Sequence, residues 1–224
     1  MRDDFSLPSA DAPTTLYLVR HGETEHNRRG IVQGGGVDST LNSAGRAQAQ
    51  ALAQRLASVS LDSLYASTLQ RAKQTADILV RPHEPLSRTH LRDLREMNWG
   101  VLEGEPPSEE RDASMSALKA KWQEGAYDRA VEGGESIRDV QERAQRALRH
   151  ILAREVGRTT LVVTHGRYLR VLLATLLDDY GLEHMQELGH SNTCVNRVVH
   201  EDGRAQADLL NCTAHLSAEA SALA

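Results

Sequence analysis

Two short apolar segments of this chain end in the same way, and this repetition constrains the fold more than any other feature. Residues 15–19 lead directly into Arg20-His21-Gly22, and residues 159–164 lead into His165-Gly166. Short apolar segments of this kind are typical of buried strands. In open α/β sheets, ligands bind at the carboxyl ends of the strands. We therefore expect two imidazoles to face one pocket at that edge of a sheet.

The rest of the chain alternates between strand and helix patterns. Further strands are predicted at residues 61–66, 86–94, 193–200 and 205–212, and the last two form a hairpin around Glu201-Asp202-Gly203. Helices are predicted at residues 42–57, 67–79, 108–124, 136–156 and 168–177, whereas residues 25–38 and 125–134 have the composition of loops. This alternation predicts an α/β fold, a three-layer α/β/α sandwich with a mostly parallel central sheet.

One predicted helix begins with a capping-box pattern, and another begins with a residue pair that is typical of a helix start. Ser67 is followed three positions later by Gln70, and Ser136 is followed three positions later by Asp139. A cap at Ser67 places Arg71 in the first turn of its helix, near the carboxyl edge of the sheet. An anion bound there is also stabilised by the N-terminal end of the helix dipole.

The chain length is consistent with a single domain. We expect a flexible leader at residues 1–14, one domain at residues 15–212 and a flexible tail at residues 213–224, with a lid at about residues 100–134. The leader lacks the apolar core of a secretory signal, and no apolar run approaches the ~18 residues of a membrane span. We therefore expect a cytoplasmic protein that does not bind membranes.

Charge and cysteine content exclude further classes. The net charge is -5 and aromatic residues make up 4% of the chain, which argues against a nucleic-acid-binding surface. The two cysteines, Cys194 and Cys212, are expected to be free thiols in a reducing compartment. Nothing in the sequence specifies an oligomeric state.

Charged side chains and imidazoles follow four of the predicted strands. Arg20 and His21 follow the first, and the others are Arg71, Glu96 and His165. Two guanidinium groups suit a tetrahedral dianion such as phosphate. A neutral imidazole is a competent nucleophile near pH 7, and a carboxyl group can protonate the leaving alkoxide and then activate water. The pattern predicts phosphoryl transfer.

A zinc site is the rival interpretation of the same histidines. His21, His26 and His165 are the candidate ligands. However, neither an HExxH nor a DxH signature occurs, and two arginines beside the imidazoles would repel a cation. We expect no metal and no other cofactor.

The ordered motifs of this chain resemble those of the histidine phosphatase superfamily, the phosphoglycerate mutase-like proteins. The resemblance extends over about residues 16–199 and rests on residues 20–24, Asn27, Gln33-Gly34, residues 67–75, Glu96, Gly100, Glu103, Gly104, residues 133–136 and His165-Gly166. It implies a phosphoglycerate mutase-like fold and a metal-independent phosphomonoester hydrolase of the histidine acid phosphatase type.

The resemblance also implies roles for individual residues. His21 is the nucleophile that becomes phosphohistidine, and Glu96 is the proton donor, with Glu103 as its nearest competitor. The groups that bind the phosphoryl moiety are Arg20, Asn27, Arg71, His165 and the backbone amide of Gly166. The candidate substrate-pocket residues are Gln33, Gly34, Trp99, Arg167 and Asn192; Trp99 is equally consistent with core packing, and Arg167 with a position in solvent.

Two alternatives to hydrolysis stay open. Residues 103–111, within the lid, are rich in glutamate, so a second anion would be repelled there, which favours the phosphatase branch over a phosphoglycerate mutase-type phosphotransferase. A non-catalytic phospho-ligand binding protein is the third hypothesis. The expected substrate is a small phosphorylated metabolite or a phosphopeptide.

Overall fold

The computed structural model describes residue 7 and residues 12–217, which form a layered domain around one sheet. Its strands are β1 (Thr14–Arg20), β2 (Ser63–Ser67), β3 (Arg88–Leu91), β4 (Thr159–Thr164), β5 (Val195–Glu201) and β6 (Arg204–Cys212). Their order is β3-β2-β4-β1-β5-β6. The first four are parallel, whereas β5 is antiparallel to β1 and β6 is antiparallel to β5. The mostly parallel sheet and the final hairpin are therefore confirmed.

Six α-helices accompany the sheet within the described residues. They are α1 (Glu25–Arg28), α2 (Ser43–Leu56), α3 (Gln70–Leu79), α4 (Glu109–Gln123), α5 (Ile137–Leu152) and α6 (Gly166–Leu176). In the part of the chain that the structure describes, every helix is too short or too polar to cross a membrane.

Two hydrophobic clusters lie on opposite faces of the sheet. Because successive side chains of a strand point to opposite faces, Leu18 of β1 packs with α5 and α6, whereas its neighbour Val19 packs with α2 and α3. Strand β4 repeats the division, with Val162 in the first cluster and Val163 in the second. This division is the three-layer α/β/α arrangement that the sequence predicted.

One predicted helix cap is wrong. Ser67 is the last residue of β2, and α3 begins at Gln70 after Leu69, which makes no side-chain cap. The Ser67 hydroxyl contacts the His165 imidazole instead. The other predicted cap is confirmed, because Ser136 and Asp139 form a reciprocal capping box at the start of α5.

Other differences from the sequence-based boundaries are local. The predicted loop 25–38 contains α1, because Thr24 and Asn27 form a capping box there. The predicted strand 86–94 is shorter, since the chain turns into a 3-10 helix at Arg92–Leu94 and buries Leu94. Helix α5 ends at Leu152 rather than 156, and α6 begins at Gly166, two residues earlier than predicted.

The predicted flexible tail is wrong for its first residues. A 3-10 helix spans Ala214–Leu216, and it buries His215. The His215 ring hydrogen-bonds to the Thr193 hydroxyl at 3.0 Å and to the Arg55 guanidinium of α2 at 3.4 Å. This segment therefore packs against the domain. The rest of the tail, residues 218–224, and residues 1–6 and 8–11 of the leader lie outside the described residues, whereas the last predicted leader residue, Thr14, begins β1.

Candidate active site

The carboxyl ends of β1 and β4 bring the two His-Gly motifs together. Arg20 pairs with Thr164 in the parallel register. The backbone N–H of His21 then donates to the Thr164 carbonyl at 3.0 Å. As a result, the rings of His21 and His165 lie 5.1 Å apart between centroids. The structure thus places both imidazoles at one point of the sheet edge.

A close backbone crossing explains why glycine follows His21. A Cβ atom at Gly22 would collide with the backbone carbonyl of Gly45 in α2, so no larger residue fits there. The Gly22 N–H donates to the Thr75 hydroxyl of α3 at 3.1 Å. The turn after β1 is therefore fixed by two helices, and the imidazole is held at the end of a rigid strand.

The hydrogen bonds of the His21 ring define its tautomer. Nδ1 lies 2.7 Å from the Gly22 carbonyl, which can only accept, so Nδ1 carries the proton. Nε2 receives the Nε–H of Arg71 at 3.3 Å and therefore has a lone pair. Burial, followed by the charges of Arg71 and Arg20, lowers the pKa of His21 well below its ordinary value. The ring is neutral at pH 7, as a nucleophile requires.

Arg71 lies directly behind His21 and is fully buried. Its Nη1 donates to the Val37 carbonyl at 2.6 Å and its Nη2 to the Gly34 carbonyl at 3.2 Å. Burial lowers the pKa of Arg71 to about 10, which leaves it charged at neutral pH. The Gly34 carbonyl thus positions Arg71. Gly34 was predicted to line the substrate pocket, but it does not line the cavity.

His165 is fully buried and contacts a residue to which the sequence had assigned another role. Its Nε2 lies 2.7 Å from Ser67 Oγ at the end of β2. Its Nδ1 is buried and has no hydrogen-bond partner within the described residues. Burial, followed by Arg71 and His21, lowers the pKa of His165 well below its ordinary value. The ring therefore has one nitrogen fixed by Ser67 and one available for another group.

Arg20 faces the same position from β1. Its Nη1 donates to the His190 carbonyl at 2.5 Å. Its Nε is buried, and within the described structure it has no partner. Burial lowers the pKa of Arg20, although the Glu96 carboxylate opposes that shift. The guanidinium is thus anchored at one end and keeps a free donor.

Glu96 connects the site to the start of α6. Its Oε2 accepts from the Arg167 N–H at 3.1 Å, and its Oε1 accepts from the Tyr168 N–H and the Met97 N–H, both at 2.9 Å. The carboxylate therefore caps the helix that begins after His165. Oε2 has a single donor and keeps a lone pair, and the side chain forms part of the cavity wall.

Glu103, the competing carboxylate, has a structural position. Its Oε1 accepts from the Trp99 N–H at 3.0 Å and its Oε2 from the Gly36 N–H at 2.9 Å. It joins the start of the lid to the loop that positions Arg71, and it does not line the cavity. Of the two candidates for proton transfer, Glu96 lines the same cavity as His21, whereas Glu103 does not.

A polar network supports the other side of His21. The Asn192 amide donates to the His21 carbonyl at 3.0 Å and to Asn27 Oδ1 at 3.4 Å. The Gln33 amide donates to the Thr24 hydroxyl at 2.7 Å. Asn27 and Gln33 line the cavity, whereas Asn192 lies behind the backbone of His21. Asn192 was predicted to line the substrate pocket. The structure instead places it where it supports the backbone of His21.

A cavity of about 270 Å³ opens over these groups. The predicted site residues that line it are Arg20, His21, Asn27, Gln33, Glu96, Trp99, Gly166 and Arg167. Arg71 and His165 lie beneath the cavity. Arg71 hydrogen-bonds to the His21 ring, and the His165 ring lies against that of His21. The lining residues that sequence reasoning missed are Gly30, Val32, Arg111, Met115, Lys119 and His190.

The lid presents cations to the cavity, which corrects the prediction of an acidic lid. Arg111, Met115 and Lys119 lie four residues apart on α4 and form one face of that helix, and all three line the cavity. Glu105, at the lid's start, is exposed to solvent and does not line the cavity. The electrostatic argument against a second anion in the substrate therefore fails.

Arg167 is packed between the lid and α6. Its guanidinium lies 5.8 Å from the ring centroid of Trp99 and 5.4 Å from that of Trp122, distances typical of cation–π contacts. Its Nη1 donates to Gln186 Oε1 at 3.1 Å. Burial, followed by Arg170, lowers the pKa of Arg167 to about 10. Arg167 therefore lies in the cavity wall and not in solvent.

The histidines of the rival zinc interpretation do not form a ligand set. Within residues 7 and 12–217, no three or more His, Cys, Asp or Glu side chains are grouped as metal ligands. His26 lies on α1, outside the cavity wall.

Comparison with known proteins gives a consistent match. A sequence model of the histidine phosphatase superfamily (branch 1) matches residues 16–213. The probable phosphoglycerate mutase GpmB of Erwinia tasmaniensis is 34% identical over 194 residues, which cover 83% of this chain and 85% of that protein.

Solved structures resemble this chain over most of its length. YhfR of Bacillus stearothermophilus superimposes with a TM-score of 0.81 at 35% identity, covering 91% of this chain and 100% of that one. A mycobacterial glucosyl-3-phosphoglycerate phosphatase superimposes with a TM-score of 0.77 at 27% identity, covering 89% of this chain and 99% of that one.

Proposed function

The chain belongs to the histidine phosphatase superfamily, and from that premise we propose that it is a metal-independent phosphomonoester hydrolase with a phosphohistidine intermediate on His21. The observation that carries this proposal is the fixed tautomer of His21. Its Nδ1–H is held by the Gly22 carbonyl, so the lone pair lies on Nε2, where it accepts from the Arg71 Nε–H at 3.3 Å until phosphorus takes that place. A nucleophile of that kind, surrounded by guanidinium groups, suits attack on phosphorus.

In the first step, His21 Nε2 attacks phosphorus as the bond to the leaving alkoxide breaks. Glu96, protonated on Oε2, gives its proton to that alkoxide. In the second step, the Glu96 carboxylate removes a proton from water, and the water oxygen attacks phosphorus as the bond to Nε2 breaks. The products are the alcohol and phosphate, and His21 and Glu96 return to their starting states. The lone pair left on Oε2 supports this role.

The phosphoryl oxygens would be held by donors that surround His21. We assign Arg20 through its unpartnered Nε, His165 through its unpartnered Nδ1, and Arg71 through its charge. The Asn27 amide and the Gly166 N–H complete the set, and Gly166 is the first residue of α6, where the helix dipole favours an anion.

The dimensions of the cavity favour a small substrate. A volume of about 270 Å³ equals that of roughly nine water molecules in the liquid at ~30 Å³ each. A small phosphorylated metabolite fits this space, whereas a phosphopeptide would extend out of it. The glucosyl-3-phosphoglycerate phosphatase and other similar structures, by their names, act on small phosphorylated metabolites.

Phosphoglycerate mutase-type phosphotransfer is the second candidate. Two observations favour it: relatives such as the Erwinia protein are named probable phosphoglycerate mutases, and the lid directs cations, not carboxylates, into the cavity. The two functions share the phosphohistidine and differ in its acceptor, which is water in one case and a sugar-acid hydroxyl in the other. A non-catalytic phospho-ligand binding protein shares only the binding step.

The test is to measure phosphate release from a panel of small phosphomonoesters by wild type, His21→Ala and His26→Ala. We expect loss of release in His21→Ala and no effect of chelators. We also expect an acid-labile ³²P-phosphohistidine in wild type and His26→Ala but not in His21→Ala. His26 lies in the same motif region but outside the cavity wall, so its variant is the matched control. Full activity of His21→Ala would refute the proposal.

A second measurement separates the candidates. Interconversion of 3- and 2-phosphoglycerate, primed by 2,3-bisphosphoglycerate and faster than phosphate release, would establish the mutase instead. Binding of phosphomonoesters without phosphohistidine or turnover would establish the binding protein. We also propose a cytoplasmic location, supported by the free thiols of Cys194 and Cys212 and tested by cell fractionation.

A further inference from the structure

We propose that Arg143 is a positioning residue for the proton donor. Its guanidinium, oriented by the carboxylate of Glu135, fixes the backbone that carries Glu96 and so keeps the Glu96 carboxyl group in the cavity wall. This inference rests on the proposed function, because it concerns the proton-transfer step of the same site. Neither Arg143 nor Glu135 lines the cavity, so we assign them no contact with the substrate.

The segment that carries Glu96 has no regular secondary structure of its own. The 3-10 helix Arg92–Leu94 ends two residues before Glu96, and the next 3-10 helix begins at Gly100. The backbone between them depends on tertiary hydrogen bonds, since buried polar groups of the main chain need partners. A carboxyl group that has to reach the leaving oxygen within hydrogen-bond distance requires such a segment to be fixed.

The guanidinium of Arg143 binds three carbonyls of this segment. Nη1 donates to the Asp93 carbonyl at 3.0 Å and to the Arg95 carbonyl at 3.1 Å. Nη2 donates to the carbonyl of Glu96 itself at 3.4 Å. Arg143 lies on α5, a helix of 16 residues that packs into the core with one face. The irregular segment is therefore tied to a long, rigid element of the fold.

Glu135 orients the guanidinium and holds the same segment beyond Glu96. Its carboxylate oxygens accept from Arg143 Nε at 2.7 Å and from Arg143 Nη2 at 2.9 Å, which makes a bidentate pair. Its Oε2 also accepts from the Asn98 N–H, and its own N–H donates to the Asn98 carbonyl, both at 2.8 Å. The carboxylate and the three carbonyls together engage all five N–H groups of the guanidinium. Its plane therefore has one orientation.

Arg143 also contacts a residue that binds the carboxylate of the proton donor. Its Cζ lies 5.3 Å from the centroid of the Tyr168 ring, a distance typical of a cation–π contact. Tyr168 is fully buried, and its N–H donates to Glu96 Oε1 at 2.9 Å. Arg143 thus supports Glu96 directly at the backbone carbonyl and, through Tyr168, at the carboxylate.

A role in stability alone is the competing explanation for this ion pair, and the geometry of the guanidinium separates the two. The side chains of Arg143 and Glu135 are 14% and 23% exposed, and a partly buried ion pair is by itself weak evidence for stability. Lysine would keep the charge of the pair but not the planar fork that binds a carboxylate and three carbonyls at once. Arg143→Lys is therefore the informative variant.

Arg146 provides the matched control. It lies on the same helix and reaches the same segment, but its guanidinium contacts the side-chain carboxylate of Asp93, at 3.3 Å, and no backbone carbonyl. Its side chain is half-exposed. Arg146→Lys consequently makes the same chemical change on α5 without releasing the backbone of Glu96.

The test measures kcat and KM for two substrates that differ in their need for a proton. The leaving group of glycerol 3-phosphate needs one, whereas that of p-nitrophenyl phosphate does not. We expect Arg143→Lys to lower kcat for glycerol 3-phosphate about tenfold or more, because small displacements of a catalytic group are costly. The kcat for p-nitrophenyl phosphate and both KM values should stay within about twofold of wild type. Arg146→Lys should change none of these values.

Glu135→Gln tests the same role without altering Arg143. Its amide cannot accept two hydrogen bonds from the guanidinium in place of the carboxylate, so we expect the same substrate-dependent loss. Urea unfolding shows that each variant is folded under the assay conditions. If Arg143→Lys does not fold, Glu135→Gln decides the outcome. An equal loss on both substrates, or no loss on either, overturns the positioning role.

A double variant shows whether Arg143 acts through Glu96. In a Glu96→Gln background the proton donor is already absent, so adding Arg143→Lys should change kcat for glycerol 3-phosphate by no more than about twofold. If the two losses instead multiply, Arg143 acts on catalysis by another route and the inference is wrong.

Wild-type protein separates this inference from the proposed function. If wild type releases phosphate from neither substrate, the proposed function is refuted, and the inference that rests on it falls too. If wild type releases phosphate from both substrates and Arg143→Lys lowers both kcat values equally, the hydrolase stands and only the positioning role is refuted.

Discussion

The carboxylate of Glu96 accepts a hydrogen bond from the backbone N–H of Arg167 at 3.1 Å. This contact joins the candidate proton donor to the helix whose first residue, Gly166, lines the same cavity. One carboxylate therefore both caps α6 and forms part of the cavity wall. Removing its charge and removing its hydrogen bonds are consequently different perturbations, and they can be separated by experiment.

We predict that Glu96→Gln lowers kcat in a way that depends on the leaving group. The amide oxygen can keep the two bonds that Oε1 accepts, whereas the amide nitrogen cannot accept from the Arg167 N–H, so we expect a loss of about 1–3 kcal/mol of stability as well. The side chain also cannot supply a proton. Because general acid catalysis contributes roughly 10²–10⁴-fold, we expect a loss of at least about 10²-fold for glycerol 3-phosphate. The loss for p-nitrophenyl phosphate is smaller, since its leaving group needs no proton. The ratio of the two kcat values is the measurement.

Glu103→Gln is the control for this prediction. Glu103 binds the Trp99 and Gly36 backbone through both oxygens but does not line the cavity. Its variant is expected to lower the free energy of unfolding by about 1–3 kcal/mol and to leave the ratio of the two kcat values unchanged. A leaving-group effect in Glu103→Gln and none in Glu96→Gln would show that Glu103, and not Glu96, is the proton donor.

We predict that Ser67→Ala reduces kcat/KM roughly tenfold as well as stability. Ser67 Oγ lies 2.7 Å from His165 Nε2, and removing it leaves a fully buried imidazole nitrogen without a partner, at a cost of about 1–3 kcal/mol. The ring is then free to rotate away from the phosphoryl position. Denaturant unfolding and steady-state kinetics together measure the two effects.

Ser63→Ala separates a loss of stability from a loss of positioning. Ser63 lies on the same strand, and its hydroxyl contacts Thr160 Oγ1 at 3.0 Å, remote from the two imidazoles. We expect it to lose a similar amount of stability and to keep the wild-type kcat/KM. If Ser63→Ala and Ser67→Ala reduce kcat/KM equally, Ser67 has no specific effect on His165.

The sequence predicted those parts of the site that strand ends determine. His21 and His165 follow apolar strands, and the parallel pairing of β1 with β4 brings any two such residues together. The α/β class followed from the alternation of strand and helix patterns along the chain. The detailed role of Ser67 was not predictable, because a capping-box pattern and a strand-end hydroxyl look identical in sequence. Only the position of β2 beside β4 shows that Ser67 meets an imidazole.

In the lid, residue spacing and overall composition give opposite predictions for the sign of the charge that faces the cavity. Glutamates dominate its first residues, yet the charges that face the cavity come from Arg111 and Lys119 on either side of Met115. Their four-residue spacing was present in the sequence and marks one helix face. The net charge of a segment does not show which face of its helix turns inward; in the structure, α4 is packed into the core through the buried Trp122.

The pH dependence of catalysis tests the environment of His21. Burial, followed by Arg71 and Arg20, lowers the pKa of His21 well below its ordinary value of 6.5. Its neutral, nucleophilic form is therefore kept as the pH falls through 6.5, and we expect no enzyme ionisation near that value in the acid limb of kcat/KM. The measurement is a profile from pH 4.5 to 8, corrected for the known ionisation of the substrate phosphate.

His26→Ala serves as the control for that profile, because His26 does not line the cavity. Its acid limb should coincide with that of wild type. An acid limb that follows a group titrating near 6.5, after correction for the substrate, would show that His21 is protonated in the ordinary range. The proposed neutral nucleophile would then be wrong.

The free energy of unfolding should fall in acid, and His215 provides a test of this outside the cavity wall. Burial, followed by the charge of Arg55, lowers the pKa of His215 to about 4. Between that value and its ordinary 6.5, the unfolded chain binds a proton that the folded chain excludes, so stability is complete above about pH 6.5 and is lost as the pH falls. At pH 5 this group alone lowers the free energy of unfolding by about 2 kcal/mol.

His215→Gln keeps a polar side chain without this ionisation. Between pH 7.5 and pH 5, we expect its free energy of unfolding, measured in urea, to fall by about 2 kcal/mol less than that of wild type. Exposed His184→Gln, whose partner Glu187 is also on the surface, should retain the full wild-type decrease. Equal decreases in wild type and His215→Gln would show that the folded protein does not keep the His215 ring neutral.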